Sequence, residues 1–154
     1  MRYVPRQHTE RLRSLLRSFP AVLVLGPRQC GKSTLARRVL PDWTRLDVER
    51  PADLAVLAAD HEGFFDAHSR AVMIDEAQRL PEVFPVLRHV IDRSRGKGRF
   101  LLLGSASPTL MRSVSETLAG RVALLELTPF LDSELAGTAR ADDRWFWGGF
   151  PPIH

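Results

Sequence analysis

An octapeptide near the start of the chain constrains its fold more than any other feature. Residues 26–33 read GPRQCGKS, which fits the pattern G-x-x-x-x-G-K-[ST] without a mismatch. An apolar run at 21–25 precedes this octapeptide, and a helical pattern at 33–40 follows it. The order predicts a buried strand, a glycine-containing loop and a helix whose first N–H groups face the loop.

The residue types of this loop suit the binding of a nucleotide's phosphate groups. Glycines let backbone N–H groups converge on phosphate oxygens, and the following helix adds the positive end of its dipole. In this pattern the lysine reaches the β- and γ-phosphates, and the serine hydroxyl is a ligand for Mg²⁺. We expect nucleotide contacts along the loop and the start of the helix, at Gly26, Pro27, Arg28, Gln29, Cys30, Gly31, Lys32, Ser33 and Thr34.

Cys30 lies inside this loop and has two interpretations. It is either a small packing side chain or a redox-sensitive thiol, because a helix N-terminus lowers a thiol pKa.

The rest of the chain alternates short apolar runs with helical patterns. Strands are predicted at 21–25, 44–48, 71–74, 99–103 and 122–127, and helices at 8–19, 33–40, 51–68, 81–95 and 108–118, with a break near Gly63. This alternation predicts an α/β fold with a parallel sheet that helices cover on both faces. In such sheets ligands bind at the carboxyl ends of the strands, so residues that directly follow strands are candidate site residues.

Two carboxylates follow the third predicted strand. Residues 71–76 read AVMIDE, 43 residues after Lys32 when counted to Asp75. Asp75 would hold Mg²⁺, directly or through water. Glu76 would polarise a water for attack on the γ-phosphate.

A serine and an arginine complete the candidate catalytic set. Ser105 follows the fourth predicted strand, where it would orient the attacking water. Helix N-capping by Ser105 or Ser107 explains the same residues equally well. Arg121 opens the fifth strand, and we expect it to face a γ-phosphate in its own subunit or in a neighbouring one.

Charge and composition narrow the classes of partner and location. Of the 154 residues, the first 45 carry a net charge of +8 and the remainder −4, so the basic part would suit an anionic partner such as DNA or an acidic protein. The alternative interpretation of these basic residues is a solvent-exposed helix face without a partner. The longest apolar runs are far shorter than the ~20 residues that cross a bilayer. The sequence therefore predicts a cytoplasmic protein with no membrane partner.

The sequence resembles one group of prokaryotic AAA+-like ATPases. GPRQCGKST, AVMIDEAQRLP, FLLLGSASP, SETLAGR and WFWGGFPP occur there in this order, so the resemblance covers essentially the whole chain. It implies a P-loop NTPase fold, a three-layer sandwich with a sheet of about five strands in the order 5-1-4-3-2. It also implies ATP and Mg²⁺ as cofactors.

By motif position, the resemblance also implies site residues. Lys32 and Ser33 would bind the nucleotide, Asp75 and Glu76 would form the acidic pair, and Ser105 would be the polar sensor of the fourth strand. Arg121 matches the Gly-Arg of the group.

The same resemblance gives the expected domain boundaries. We expect a basic helix at 1–20, an ATPase core at 21–136 and a tail at 137–154. The resemblance implies a second, C-terminal domain in members of the group, and we expect this chain to represent the ATPase core without it. The aromatic cluster Trp145, Phe146, Trp147 and Phe150 would then stay exposed and favour a homo-oligomer, or fold back on the sheet. The alternative is that these aromatic side chains close the core under the N-terminal helix.

Two alternatives to an ATP-hydrolysing core remain open. A small-molecule kinase would use Asp47-Val48-Glu49 to bind an acceptor, although Glu76 argues against it because a water-activating carboxylate wastes ATP. A binding module would use ATP only to order the basic N-terminal helix for a DNA or protein partner.

Overall fold

The computed structural model describes residues 4–68, 71–94, 96–135 and Phe150. Its helices are α1 (His8–Ser18), α2 (Lys32–Val39), α3 (Pro51–Ala59), α4 (His61–Ala67), α5 (Val83–Arg93), α6 (Pro108–Thr117) and α7 (Asp132–Leu135). Its strands are β1 (Ala21–Leu25), β2 (Thr44–Asp47), β3 (Val72–Asp75), β4 (Phe100–Gly104) and β5 (Val122–Glu126). A 3₁₀ turn at Ala77–Arg79 follows β3.

The five strands form one sheet in the order β2-β3-β4-β1-β5, and every neighbouring pair is parallel. This is the predicted order 5-1-4-3-2 read from the other edge, so the predicted α/β P-loop fold is confirmed. The central strand β1 and its neighbour β4 are buried along their whole length, as parallel strands covered on both faces must be. The carboxyl ends of β1, β3 and β4 therefore meet at one edge of the sheet.

Alternation along the strands divides the core between the two faces of the sheet. One face packs against α3 to α6 around large side chains such as Phe65, Phe84 and Phe100. The other face packs against α1 and α2, with Leu12 and Leu35 as fully buried contacts. These three layers are the predicted sandwich, and they fix the start of α2 against the end of β1.

The predicted helix at 51–68 is wrong in one detail, because it divides at Asp60 and not at Gly63. Asp60 is extended, with φ −160° and ψ 92°, and its carboxylate accepts a hydrogen bond from the Gly63 N–H. A Cβ at Gly63 would come within 2.1 Å of Asp60 Oδ2, so glycine permits this cap instead of breaking the helix.

Two further observations bear on the sequence expectations. Within the described residues, no helix is long and apolar enough to cross a membrane. Trp145, Phe146 and Trp147 lie outside the described residues, and the side chain of Phe150 is exposed. The expected packing of the aromatic cluster stays a prediction.

Candidate functional site

The phosphate loop, residues 26–33, joins the carboxyl end of β1 to the first turn of α2. Gly31 is the N-cap of α2 and has φ 96°, a left-handed conformation that glycine adopts without strain. Gln29 also has a positive φ, of 63°, which costs a non-glycine residue about 1–3 kcal/mol. The first N–H groups of α2 have no partner within the helix. The N–H groups at the start of α2 and the positive end of its dipole therefore suit an anion in this loop.

Gly26 is required for a different reason, which is close packing. A Cβ at this position would lie 2.2 Å from the Leu127 carbonyl oxygen and 2.9 Å from Cys30 Sγ. The loop therefore leaves β1 directly against the backbone that follows β5.

Lys32 is buried, and its ammonium group lies inside the curve of the loop. Nζ donates to the carbonyl oxygens of Gly26 at 3.0 Å and Pro27 at 2.8 Å. Only 6% of the residue is exposed, so the backbone of the loop solvates the charge. An anion that entered the loop would replace these carbonyls with a charge-assisted partner, which is the stronger interaction.

Ser33 and Asp75 come together although 42 residues separate them in the sequence. Ser33 Oγ donates to Asp75 Oδ2 at 2.5 Å, and the Glu76 N–H donates to Asp75 Oδ1 at 3.0 Å. Burial raises the pKa of Asp75 above its ordinary value, and the hydrogen bond from Ser33 acts in the opposite direction. A hydroxyl oxygen and a carboxylate oxygen this close together are ligands that suit Mg²⁺.

Glu76 has an unusual backbone conformation, and its carboxylate is held by Gln78, a residue that the sequence analysis did not single out. Its φ of 54° and ψ of 40° are left-handed, and Gln78 Nε2 donates to Glu76 Oε2. Gln78 Oε1 is buried and has no hydrogen-bond partner among the described residues. A Cβ at Gly104 would lie 2.9 Å from this oxygen, so the glycine that ends β4 makes room for the amide.

Glu49 bridges the phosphate loop to the turn after β3. It forms ion pairs with Arg28 and Arg79, each at 3.1 Å. Asp47, in the same segment, accepts the Glu49 N–H at 2.9 Å. Both carboxylates thus have partners within the chain, which disfavours their use as an acceptor site for a small-molecule kinase.

The two serines after β4 have separate positions. Ser107 is the N-cap of α6, and its hydroxyl accepts the Leu110 N–H at 3.2 Å. Ser105 directly follows β4 at the edge that carries the phosphate loop, and it is half-buried. The capping interpretation therefore applies to Ser107, and the expectation that Ser105 orients the attacking water stays a prediction.

Arg121 lies away from the other candidate site residues. It precedes β5, and its carbonyl oxygen accepts the N–H of Ala21, so it sits where β1 begins. Five strand residues at about 3.3 Å each separate that edge from the phosphate loop by about 15 Å. Its guanidinium pairs with Asp92 through Nε at 2.6 Å and Nη2 at 2.8 Å, and this partner raises the pKa of Arg121. The expectation that Arg121 faces a phosphate in its own subunit is therefore wrong for this conformation.

Cys30 is fully buried inside the loop, and burial raises the pKa of its thiol. Its Sγ lies 3.5 Å from the Leu127 carbonyl oxygen. A buried thiol with a raised pKa is unreactive, so the structure favours the packing interpretation over the redox-sensitive one.

Comparison with known proteins bears on the family and the fold of the chain. A protein-family model described as "AAA domain" matches residues 18–136. Two uncharacterized proteins, from Mycobacterium bovis and Mycobacterium tuberculosis, are each 47% identical over 150 residues, which are 96% of this chain and 33% of each relative. The chain therefore spans about a third of the length of these curated relatives.

One solved structure also resembles the fold. The Walker-type ATPase PABY2304 of Pyrococcus abyssi aligns with a TM-score of 0.60 and 19% identity. The alignment covers 86% of this chain and 55% of that protein. At this identity the likeness concerns the fold alone.

Proposed function

Because this chain belongs to the family of AAA domains, we propose that it binds ATP in the phosphate loop and hydrolyses it with Mg²⁺. The observation that carries the proposal is the contact of Ser33 Oγ with Asp75 Oδ2 at 2.5 Å. It joins the two motifs that nucleotide hydrolysis needs, at the edge of the sheet where ligands bind. Mg²⁺ bound to these two oxygens would neutralise phosphate charge.

Four side chains divide the work in this proposal. Lys32 would exchange its carbonyl partners for phosphate oxygens of the nucleotide, and Ser33 with Asp75 would hold the metal. Glu76 would accept a proton from the attacking water, since its carboxylate lies one residue beyond the metal ligand. Gln78 would keep the Glu76 carboxylate in place through the Nε2–Oε2 hydrogen bond.

A phosphate-release assay tests this function. With ATP and Mg²⁺ we expect continuous release of inorganic phosphate that EDTA stops. Tight ATP binding without release would instead favour a binding switch, and transfer of phosphate to an added acceptor would favour a kinase. Failure to bind ATP at millimolar concentration would contradict the proposal.

The exposed arginines of the basic N-terminal third support an anionic partner, for which we propose DNA. Arg11 and Arg17 are exposed on α1, and Arg37 is exposed on α2, which packs beside it. Arg6 and Lys32 are buried and do not belong to this surface. A DNA titration of the phosphate-release assay at several salt concentrations tests the partner, because phosphate contacts weaken steeply with salt.

For Arg121 we propose delivery to the nucleotide of a neighbouring subunit in a homo-oligomer. The guanidinium would have to leave its ion pair with Asp92. This pair is at the surface, and surface ion pairs contribute little stability. We expect Arg121→Ala to leave ATP affinity nearly unchanged and to cut turnover by about 10³-fold or more. Mixing Arg121→Ala with Lys32→Ala should restore part of the activity. If activity per molecule is flat over a hundredfold dilution and the mixture stays inactive, Arg121 has only a structural role at the start of β5.

A further inference from the structure

A buried arginine outside every motif of the sequence contacts the phosphate loop from behind. Arg6 lies just before α1 and is only 5% exposed. Its Nη1 donates to the Cys30 carbonyl oxygen at 3.0 Å, inside the phosphate loop. Its Nη2 donates to the carbonyl oxygen of Thr128, and its guanidinium lies 4.5 Å from the centre of the Phe130 ring. One side chain thus joins the N-terminal segment, the loop and the backbone after β5.

The charge of Arg6 is balanced by a carboxylate that is also buried. Glu134, in α7, lies 3.2 Å from Arg6 Nε, and the two side chains are 3% and 0% exposed. Glu134 also accepts the N–H groups of Gln7 at 2.8 Å and Leu131 at 2.9 Å. These bonds hold the Glu134 carboxylate, and its ion pair with Arg6 acts together with the carbonyl contacts to hold the guanidinium.

The contact with the Cys30 carbonyl also constrains the Gly31 N–H, which belongs to the same peptide group. A trans peptide is planar, so the Cys30 carbonyl and the Gly31 N–H point in opposite directions. When Arg6 holds the carbonyl, the Gly31 N–H must point away from Arg6. Gly31 is also the residue with φ 96°, and without a side chain its own preferences would not fix this orientation.

We propose that Arg6 is a positioning residue that turns the Gly31 N–H into the phosphate-binding cradle, and that Glu134 holds Arg6 in place to do so. The proposal rests on the proposed ATP-binding function and adds two residues to it. Neither residue touches the nucleotide. The pair thereby connects the phosphate loop to the segment from Thr128 to Leu135.

The test must separate positioning from stability, since removal of one partner leaves a buried charge unpaired. The variant for this purpose is the double substitution Arg6→Met with Glu134→Gln. It removes both charges, and the glutamine oxygen still accepts a backbone N–H. If the double variant does not fold, the second variant is Arg6→Lys, which keeps a cation for Glu134 but cannot hold the Cys30 and Thr128 carbonyl groups together as the guanidinium does.

Arg99 provides a matched control at the opposite edge of the sheet. It is 3% exposed, donates through Nη1 to the carbonyl oxygens of Val90 and Ser94, and lies 4.8 Å from the centre of the Phe100 ring. Arg99→Met therefore removes a buried arginine that, like Arg6, contacts carbonyl groups and an aromatic ring, but at the edge of the sheet opposite the phosphate loop. It should lower stability without altering nucleotide affinity.

Two measurements are made at a temperature where every variant is folded. Titration calorimetry gives the ATP affinity, which we expect to fall by about 10- to 100-fold in the double variant and less than about twofold in Arg99→Met. The ¹H–¹⁵N shift of the Gly31 amide in the ligand-free protein should move in the double variant and stay in place in Arg99→Met. With Arg6→Lys, both changes should be in the same direction and smaller.

Failure of the positioning role can be distinguished from failure of the proposed function. Wild-type affinity together with an unmoved Gly31 amide, in a folded double variant or, where that variant does not fold, in Arg6→Lys, would overturn the positioning role. If the wild-type chain itself does not bind ATP, the proposed function fails. The Gly31 shift in the ligand-free protein then decides alone whether Arg6 orients this peptide.

Discussion

Lys32→Ala is expected to remove ATP binding, whereas Glu76→Gln is expected to keep binding and lose hydrolysis. Lys32 meets the charge of the bound phosphates, so its loss should lower affinity by about 10²-fold or more. Glu76 acts on the water only as the reaction proceeds, so its loss should lower kcat by about 10²–10⁴-fold. Titration calorimetry and phosphate release on both variants measure the two effects separately.

The chain offers a control for each of these substitutions. Lys97, the other lysine of the sequence, is exposed in the connection between α5 and β4, far from the loop. Glu82 is exposed just before α5. Lys97→Ala and Glu82→Gln should behave as wild type in both assays. Equal loss of ATP affinity in Lys32→Ala and Glu76→Gln would contradict the division of roles.

Asp75→Asn is expected to make the protein more stable and nearly inactive. The amide can still accept a hydrogen bond from the Glu76 N–H, but it is a poor ligand for Mg²⁺. Because the metal contributes several kcal/mol to charge stabilisation, turnover should fall by about 10²–10⁴-fold. Asp42→Asn, at an exposed aspartate between α2 and β2, is the control and should change neither property.

The gain in stability should depend on pH in a defined direction. Burial raises the pKa of Asp75, so ionisation costs the folded, metal-free protein stability as pH rises through that pKa. At pH 7 in EDTA, Asp75→Asn should raise Tm by about 2–4 °C for each kcal/mol removed. Below the ordinary aspartate pKa of about 3.9 the gain should vanish. A gain that persists at acidic pH would show that it does not come from the charge.

The sequence was sufficient for the order of the elements and for the phosphate loop. Strand and helix patterns carry periodicity, and glycines at 26 and 31 with Lys32 and Ser33 form a motif whose spacing is fixed by contact with phosphate. The pairing of Ser33 with Asp75 follows, because parallel strands bring their carboxyl ends to one edge.

The contacts that position those residues could not be predicted in the same way. Arg6 and Glu134 are 128 residues apart, and nothing local marks either one as buried. Gln78 has no motif of its own and acts through Glu76. The edge on which Arg121 lies could have been predicted. In a parallel sheet, a residue that precedes a strand lies at the edge opposite the residues that follow the strands.

The central claim, that residues 26–34 bind ATP, is tested most directly by ¹H–¹⁵N correlation spectra during a titration with ATP and Mg²⁺. The largest changes are expected at the amides of residues 28–34, with further changes at Asp75 and Glu76. Lys97 and the rest of the opposite edge should remain unchanged. Unchanged loop amides at saturating ATP, or changes that cluster at another surface, would contradict the account.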